Sequence, residues 1–247
     1  FNDFGSPFLQ KLASPDIIHE TYYSPKTIGS KKPIRVITVH DMIHEIFPDN
    51  FSKKDPTIDF KKNAISRADH LICVSENTRN DLINILGVKR DKTSVVHHGF
   101  ALTASQSKIM TLKSKPFLLY VGSRGGYKNF YRFVEAYAAS SVLLKEFDLL
   151  CFGGGGFRQH EINLFKELKI SPDKIYHVAG DDDSLANYYK NASLFIYPSL
   201  YEGFGIPPLE AMSYGCPVIC SNTSSIPEVV GEAAIFFDPY SIESIQE

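Results

Sequence analysis

The chain has 247 residues, 43% of them hydrophobic and 22% charged, which is an ordinary globular composition with length for one large or two small domains. The formal net charge of −2 gives no global field that would favour nucleic acid or an anionic membrane. No apolar run approaches the ~20 residues of a membrane span. The four cysteines lie within or beside apolar runs without metal-site spacing, so we expect buried free thiols in a reducing cytosol.

Residues 1–102 alternate short apolar runs with segments of helical spacing. The i, i+4 spacing of Phe60 and Ala64 predicts one helix. A second helix is expected to begin at an N-cap, Ser75 or Asn77, and to stop at Gly87, because glycine readily adopts the left-handed conformation that ends helices. The apolar runs predict four strands, at residues 16–19, 34–39, 70–74 and 93–96.

Residues 103–115 are rich in Ser, Thr and Lys without periodicity, and we interpret them as a linker. A second alternating series follows. Its strands are predicted at residues 117–121, 147–152, 175–178, 194–197, 217–220 and 234–237. Because strands that alternate with helices form parallel sheets, we predict two α/β domains with doubly wound parallel sheets, at residues 1–102 and 116–247.

The most informative stretch is SLYEGFGIPPLEAM at residues 199–212. Its glycines allow backbone N–H groups to approach a ligand closely, and its prolines suit the first turn of a helix, whose N-terminus favours an anion. Glu202 and Glu210 flank these residues, and a carboxylate offers two acceptor oxygens to a vicinal diol such as that of a ribose or a hexose. The alternative is a strand–turn–helix whose glutamates are merely solvated. Because glycines, prolines and both acids occur together, we predict a sugar-nucleotide pocket.

A second polar loop, GSRGGYKN at residues 122–129, follows a predicted strand and opens a helix. Ligands of open α/β sheets bind at the carboxyl ends of strands, so Arg124 and Lys128 are placed to bind a diphosphate. An arginine can bind phosphates bidentately, and a lysine supplies a mobile point charge. The alternative is two exposed cations on a surface loop.

Two other motifs suggest cofactors that we do not expect. The glycines at 153–156 resemble a dinucleotide-binding fingerprint, but the G-x-G-x-x-G spacing fails at Arg158. The acids at 181–183 suggest a metal-binding D-x-D pair. However, Asp183 or Ser184 can cap the helix expected near Leu185, and acids favour helix N-termini. We therefore predict no metal site and no cofactor.

The spacing E-x(7)-E, with EGFG and PPLEAM, resembles the signature of the retaining glycosyltransferases of family 4, which have the GT-B fold. The resemblance covers residues 16–247 and is strongest over 117–239. It implies two Rossmann-like domains that face a cleft, with the first domain incomplete and further C-terminal helices expected after Ile245. It also implies metal-independent transfer and a close approach of the 153–156 glycines to the donor nucleotide.

The same resemblance assigns roles to particular residues. Arg124 and Lys128 would bind the donor diphosphate, Glu202 the hexose hydroxyls and Glu210 the ribose. His40 resembles the family's histidine near the sugar C6 hydroxyl and the acceptor. The catalytic candidates are therefore Arg124, Lys128, Glu202 and His40. The acceptor side is expected to include His19 and Asp41. The expected donor-binding residues are Gly122, Ser123, Val178, Gly203, Phe204, Gly205, Ile206, Leu209 and Glu210.

The segments HETYYSP and TVHDMIHE resemble bacterial enzymes of lipopolysaccharide and exopolysaccharide assembly, many of which are mannosyltransferases. The resemblance therefore implies retaining transfer of a hexose from a nucleoside-diphosphate sugar, GDP-mannose first and UDP-hexoses next, to a glycan or lipid-linked acceptor. We expect no nucleic-acid partner, and a cytoplasmic location with peripheral contact to the inner face of the membrane through the missing N-terminal part of the first domain. A GT-B-like sugar-nucleotide epimerase, a phosphorylase and a non-catalytic nucleotide-sugar-binding module are the alternatives.

Overall fold

The computed structural model describes residues 15–26, 33–100 and 115–247, and the chain divides into two compact units at residues 1–98 and 99–247. Each unit contains a parallel β-sheet whose strands alternate with helices, which confirms the predicted α/β fold class. All but the last residue of the predicted linker lies outside the described residues.

The first unit has four described strands, which follow chain order across a parallel sheet. The strands are β1 (Ile17–Glu20), β2 (Ile34–Val39), β3 (His70–Cys73) and β4 (Thr93–Val95). The helices are α1 (Ile43–Ile46), α2 (Thr57–Arg67) and α3 (Glu76–Leu86), with 3₁₀ turns at Pro48–Asn50 and Arg90–Lys92. These strands match the predicted ones to within one residue at each end.

Both ends of α3 follow the predicted capping chemistry. The Ser75 hydroxyl accepts a hydrogen bond of 3.0 Å from the Thr78 amide, which satisfies one of the free donors of the first turn. Gly87 ends the helix in the left-handed conformation, with φ of 66°. Of the two predicted N-caps, the structure therefore selects Ser75.

Burial alternates along β2, so that Ile37 and Val39 point into the core of the first unit. They pack with Leu71 and Cys73 of β3 and with Leu82 of α3, all of them fully buried. The register pairs Val39 with Cys73 at the carboxyl ends of β2 and β3. This places the residue after Val39, which is His40, at the edge of the sheet where ligands of parallel sheets bind.

The second unit has a six-stranded parallel sheet in the order β10-β9-β8-β5-β6-β7. Its strands are β5 (Phe117–Val121), β6 (Asp148–Phe152), β7 (Ile175–Val178), β8 (Leu194–Tyr197), β9 (Val218–Ser221) and β10 (Ile235–Phe237). The strands match the prediction to within one residue at each end. They are nearly all apolar, as expected for a parallel sheet whose two faces are covered by helices.

The helices of the second unit connect these strands. They are α4 (Phe130–Ala139), α5 (Ser141–Glu146), α6 (Gln159–Glu167), α7 (Asp182–Asn191), α8 (Ile206–Ser213), α9 (Ile226–Val230) and α10 (Ile242–Gln246), with a 3₁₀ turn at Gly126–Lys128. Helices α5, α9 and α10 were not predicted from the sequence. Each has six residues or fewer, too short to show a helical period.

The acidic run at 181–183 caps α7, but not through the predicted residues. The Asp181 carboxylate accepts hydrogen bonds of 2.9 Å from the Ser184 amide and 2.6 Å from its hydroxyl. The predicted caps, Asp183 and Ser184, lie inside the first turn, because the helix begins three residues before Leu185. The expectation of a cap is correct, and its assignment to Asp183 or Ser184 is wrong.

All four cysteines are buried free thiols, with Cys73 in the first unit and the other three in the second. Burial raises the pKa of Cys73 and Cys220 to about 12 and that of Cys216 to about 11, and it raises the pKa of Cys151 further. Across the described ranges, no helix combines the length and the apolar character that a membrane crossing requires.

Candidate active site

The carboxyl ends of β5 and β8 mark the point where the chain reverses its direction across the sheet. Strands β6 and β7 extend on one side of β5, and β8 to β10 extend on the other. Ligands of open parallel sheets bind in the crevice at such a switch point. The loop after β5 contains GSRGGYKN and the loop after β8 contains EGFG. A hydrogen bond of 2.8 Å from the Leu200 amide to the Tyr127 carbonyl joins them.

The two loops bring Lys128 and Glu202 into direct contact. The Lys128 ammonium donates a hydrogen bond of 2.7 Å to Glu202 Oε1, and their side chains are 21% and 10% exposed. The ammonium also lies 5.9 Å from the centre of the Tyr197 ring. Burial, followed by the charge of Glu202, raises the pKa of Tyr197 well above its usual value, so this hydroxyl stays protonated beside the carboxylate.

Two serines after β9 hold the EGFG loop in place. The Glu202 amide donates 3.0 Å to the Ser224 hydroxyl. The fully buried Ser225 hydroxyl lies 2.9 Å from the Glu202 carbonyl oxygen and 2.8 Å from that of Phe204, so it can donate to either. Gly205 then takes φ of 109°, which favours glycine, and α8 begins at the next residue. Neither serine was predicted from the sequence, because their contacts are more than 20 residues away along the chain.

The other predicted donor-binding residues lie on the same edge of the sheet. Gly122 follows β5 with φ of 121°, and the Ser123 carbonyl accepts a hydrogen bond of 2.5 Å from the Tyr120 hydroxyl. The Val178 carbonyl accepts 3.0 Å from the Gly153 amide. The remaining predicted residues continue along the β8–α8 loop, with Gly203 and Phe204 buried and Ile206 and Leu209 in the first turn of α8.

Glu210, the second glutamate of the motif, lies half-buried inside α8 and accepts a hydrogen bond of 3.1 Å from the Tyr189 hydroxyl of α7. Burial raises the pKa of Glu210, while the hydrogen bond from Tyr189 opposes that shift. The sequence had given Tyr189 no role in the site. Its hydroxyl gives it one, which is to orient the carboxylate.

Arg124 lies differently from Lys128, because its side chain is turned into the protein and is 5% exposed as a residue. All three guanidinium nitrogens donate hydrogen bonds, to the Glu161 carboxylate and to backbone carbonyls of the glycine loop. The direct contact with the diphosphate that the sequence suggested stays a prediction.

Glu161, in the first turn of α6, is the buried partner of Arg124 and was not singled out from the sequence. Its Oε1 accepts 2.6 Å from Arg124 Nε, and its Oε2 accepts 2.6 Å from the Arg158 amide. Burial would raise the pKa of Glu161, but these hydrogen bonds outweigh it and the net pKa is lowered. Acids are enriched in the first turn of helices, so Glu161 could have indicated where α6 begins. Nothing local could have indicated the arginine 37 residues earlier.

In the first unit, His40 directly follows β2. Its Nε2 donates 2.8 Å to the Thr21 carbonyl, and its ring stacks on His98 with centroids 5.7 Å apart. Burial, and then the neighbouring His40, lower the pKa of His98. Asp41 accepts 3.0 Å from the Ile43 amide in a tight turn. Hydrogen bonds therefore fix both His40 and Asp41, and the His98 ring packs against that of His40.

A fully buried lysine, Lys61 of α2, lies behind this turn. Its ammonium donates 2.9 Å to the Asp41 carbonyl and 2.7 Å to the Glu45 carboxylate. The third predicted acceptor-side residue, His19, is exposed within β1 and bonds Thr38 of β2 at 2.8 Å. It therefore lies within the sheet, against the strand that His40 follows.

Comparison with known proteins identifies the family. The model of the family described as Glycosyl transferases group 1 matches residues 104–247, more than half of the chain, and the model described as Glycosyltransferase Family 4 matches residues 4–103. The chain belongs to the group 1 glycosyl transferases. The resemblance on the E-x(7)-E motif is thereby confirmed.

Relatives of this glycosyl transferase include two O-antigen enzymes. It is 29% identical to O-antigen chain mannosyltransferase B of Escherichia coli, over 97% of this chain and 66% of that protein. It is 28% identical to the O-antigen chain mannosyltransferase RfbU of Salmonella typhimurium, over 96% of this chain and 65% of that one. The chain thus spans less than two thirds of the length of each.

Among solved structures, the sucrose-phosphate synthase of Thermosynechococcus elongatus superimposes with a TM-score of 0.75 at 21% identity, over 97% of this chain and 64% of that one. This similarity supports the fold alone.

Proposed function

We propose that this glycosyl transferase moves a hexose, with retention of anomeric configuration, from a nucleoside-diphosphate sugar to a glycan or lipid-linked acceptor in surface polysaccharide synthesis. The observation that carries the proposal is the Lys128–Glu202 pair at the switch point of the second sheet. The E-x(7)-E loop and the loop after β5 supply one cation and one carboxylate side by side where a ligand of this fold binds.

The pair suggests how the donor is received. The Lys128 ammonium is paired with the Glu202 carboxylate at 2.7 Å. A diphosphate that enters the site competes for the ammonium, which is a mobile point charge on a flexible stem. The released Glu202 carboxylate can then accept hydrogen bonds from hexose hydroxyls. Lys128 in turn stabilises the negative charge that develops on the leaving phosphate, a role that requires a pre-positioned cation.

Glu210 would hold the ribose of the donor. An ionised carboxylate can accept from both hydroxyls of a vicinal diol, and the hydrogen bond from Tyr189 fixes the side chain in the absence of a ligand. In this proposal Glu210 determines nucleotide affinity, and Glu202 acts at the sugar. His40 and Asp41 are proposed to face the acceptor.

The donor we favour is GDP-mannose, followed by UDP-hexoses. The relatives named O-antigen mannosyltransferases support this order. We propose transfer without a metal, with Lys128 at the leaving phosphate. The use of the Asp181 carboxylate as a helix cap supports this interpretation of the acidic run.

The test is a donor panel. GDP-mannose, GDP, UDP-glucose, UDP-galactose and UDP are titrated calorimetrically, and products formed with a glycan acceptor are examined by NMR of the anomeric protons. We expect GDP-mannose to bind and the product to keep the α configuration. Failure of every nucleotide to bind contradicts the proposed donor site, and an inverted product contradicts retention.

A pair of matched variants tests the carrying observation. Lys128→Met should lower turnover about 10²–10³-fold, the scale for the loss of one pre-organised charged or hydrogen-bonding group. Lys145→Met removes a lysine whose side chain is 82% exposed and should leave turnover unchanged. Equal activity of both variants would exclude Lys128 from the reaction.

A further inference from the structure

The glycine loop after β6 wraps around the guanidinium of Arg124. Nη1 donates 3.0 Å to the Gly153 carbonyl, and Nη2 donates 2.7 Å to that of Gly155 and 3.0 Å to that of Gly156. On its other side, Nε donates 2.6 Å to Glu161. The planar group also lies 4.9 Å from the centre of the Phe157 ring, within range of a cation–π interaction. A buried charge is stable only with such complete pairing.

The loop takes a conformation that depends on these contacts. Gly153, Gly154 and Gly155 have φ of 77°, 68° and 75°, three consecutive residues in the left-handed region. Such a loop forms only with glycines, which lose more conformational freedom on folding than other residues. The guanidinium accounts for the ordered state, because it collects three carbonyl oxygens of the loop in one place.

The same loop contacts the donor-site loop directly. A Cβ built on Gly154 would lie 2.5 Å from the Gly122 carbonyl oxygen and 3.2 Å from the Ser123 Cα. The glycine loop therefore packs closely against the backbone that leads from β5 to Lys128. A shift of the glycine loop would move Gly122 and Ser123, both of which were predicted to contact the donor.

We propose that Glu161 is a positioning residue of the donor site. It holds Arg124 inside the protein, and the ion pair fixes the glycine loop against Gly122 and Ser123, so that nucleoside diphosphate meets a preformed site. Neither side chain touches the ligand. The inference rests on the proposed function, and the direct diphosphate contact predicted for Arg124 is not part of it.

The two roles of Arg124 predict opposite results for Glu161→Gln. If Arg124 binds the diphosphate directly, loss of its buried carboxylate partner frees the guanidinium, and nucleotide affinity stays equal or increases. If the ion pair positions the loops, the same substitution weakens binding roughly tenfold, within the range of coupling between contacting residues. Arg124→Lys keeps the charge but loses the planar fork, and should weaken binding by a similar factor.

The experiment measures calorimetric affinity for GDP and UDP in the wild-type protein and in Glu161→Gln, Arg124→Lys and the double variant. We expect the single variants to lose affinity and to raise the donor KM more than they lower kcat. The double variant should be no worse than the weaker single, because both substitutions break one interaction. Glu167→Gln, an exposed glutamate of the same helix, is the matched control and should bind as the wild type does.

Gly154→Ala provides a second route that leaves the charges in place. Its methyl group would push against the Gly122 carbonyl and lie 3.1 Å from Arg124 Nη1, so nucleotide affinity should fall although Arg124 and Glu161 keep their charges. Far-UV circular dichroism identifies any variant that does not fold. Glu161→Gln and Gly154→Ala are independent tests, so either one is sufficient if it folds. Wild-type affinity in folded Glu161→Gln or Gly154→Ala overturns the inference. If the wild-type protein binds neither GDP nor UDP, the proposed function is overturned, and this inference is overturned with it.

Discussion

Replacement of Lys61 by methionine should lower the stability of the first unit more than almost any other single substitution. Lys61 is fully buried in α2, and its ammonium is paired with the Glu45 carboxylate at 2.7 Å and the Asp41 carboxylate at 3.5 Å. It also donates to the Asp41 carbonyl. Methionine has nearly the same length, so the substitution removes the charge and leaves most of the packing.

The magnitude follows from what remains after the substitution. The Glu45 side chain is 5% exposed, and its Oε1 is buried with no hydrogen-bond partner among the described residues. Among the described residues, that oxygen therefore has no hydrogen bond that would offset the loss of the ammonium. Removal of one partner of a buried ion pair costs about 3–5 kcal/mol, because the other charge stays buried and uncompensated. Lys61→Met/Glu45→Gln should recover a large part of that loss, since no full charge then remains at Glu45.

The assay combines urea unfolding with hydrogen exchange. The free energy of unfolding is followed by circular dichroism, and amide exchange is read separately for Thr57–Arg67 and for strands of the second unit, which act as an internal reference. Exchange should accelerate in the first unit alone. If His40 and Asp41 face the acceptor as proposed, acceptor KM should also rise, because Lys61 holds the turn that carries them.

Lys62→Met is the matched control, since Lys62 is the exposed neighbour on the same helix. It should change the free energy of unfolding by less than roughly 0.5 kcal/mol. If Lys61→Met also costs less than about 1 kcal/mol, the scale of a surface ion pair, then the ammonium is not held as a buried charge and the reasoning fails.

Three further predictions concern the second unit. Glu210→Gln should lower the affinity for free GDP about tenfold, since a charge-assisted hydrogen bond contributes roughly 1.5–3 kcal/mol. Glu202→Gln should keep the affinity for GDP and lower kcat. Equal loss of GDP affinity in both variants would show that the roles of the two glutamates are misassigned. Tyr189→Phe removes the hydrogen bond that lowers the pKa of Glu210, so this already raised pKa should rise further. On acidification, the variant should then lose GDP binding at a higher pH than the wild type, as a titration of affinity between about pH 4 and 8 would show. If both proteins lose GDP binding at the same pH, ionised Glu210 is excluded from the nucleotide site. EDTA should leave turnover unchanged. Asp181→Asn should be mild because asparagine caps helices as well as aspartate does, and Asp182→Asn should be mild because Asp182 is exposed; strict dependence on Mn²⁺ or Mg²⁺ would contradict this interpretation.

Local patterns were enough to predict the strands and the longer helices of the fold. Ser75 and Gly87 bound a helix through interactions that span three or four residues, and the apolar runs of β5 and β6 are buried on both faces as parallel strands require. The EGFG loop was recognised because its glycines and its carboxylate adjoin in sequence. Such signals are short-range, so a single sequence contains them.

The parts that the sequence did not reveal depend on distant partners. Arg124 reads as an exposed cation on a glycine-rich loop, and only folding brings Glu161 to it. Lys61 reads as the polar face of an amphipathic helix, yet it is buried because Asp41 and Glu45 approach from another element. The Asp181 cap was missed because three adjacent acids offer equivalent caps until the backbone selects one.

Because the buried cysteines are unequally divided between the two units, their alkylation would show which unit has opened. A thiolate is the reactive species, and at neutral pH the raised pKa values of these thiols leave almost none of it in the native state. A brief exposure to an alkylating reagent therefore modifies only molecules whose core has opened. Because the first unit contains one cysteine and the second contains three, intact mass would distinguish the two events: one added label marks opening of the first unit, and three mark opening of the second.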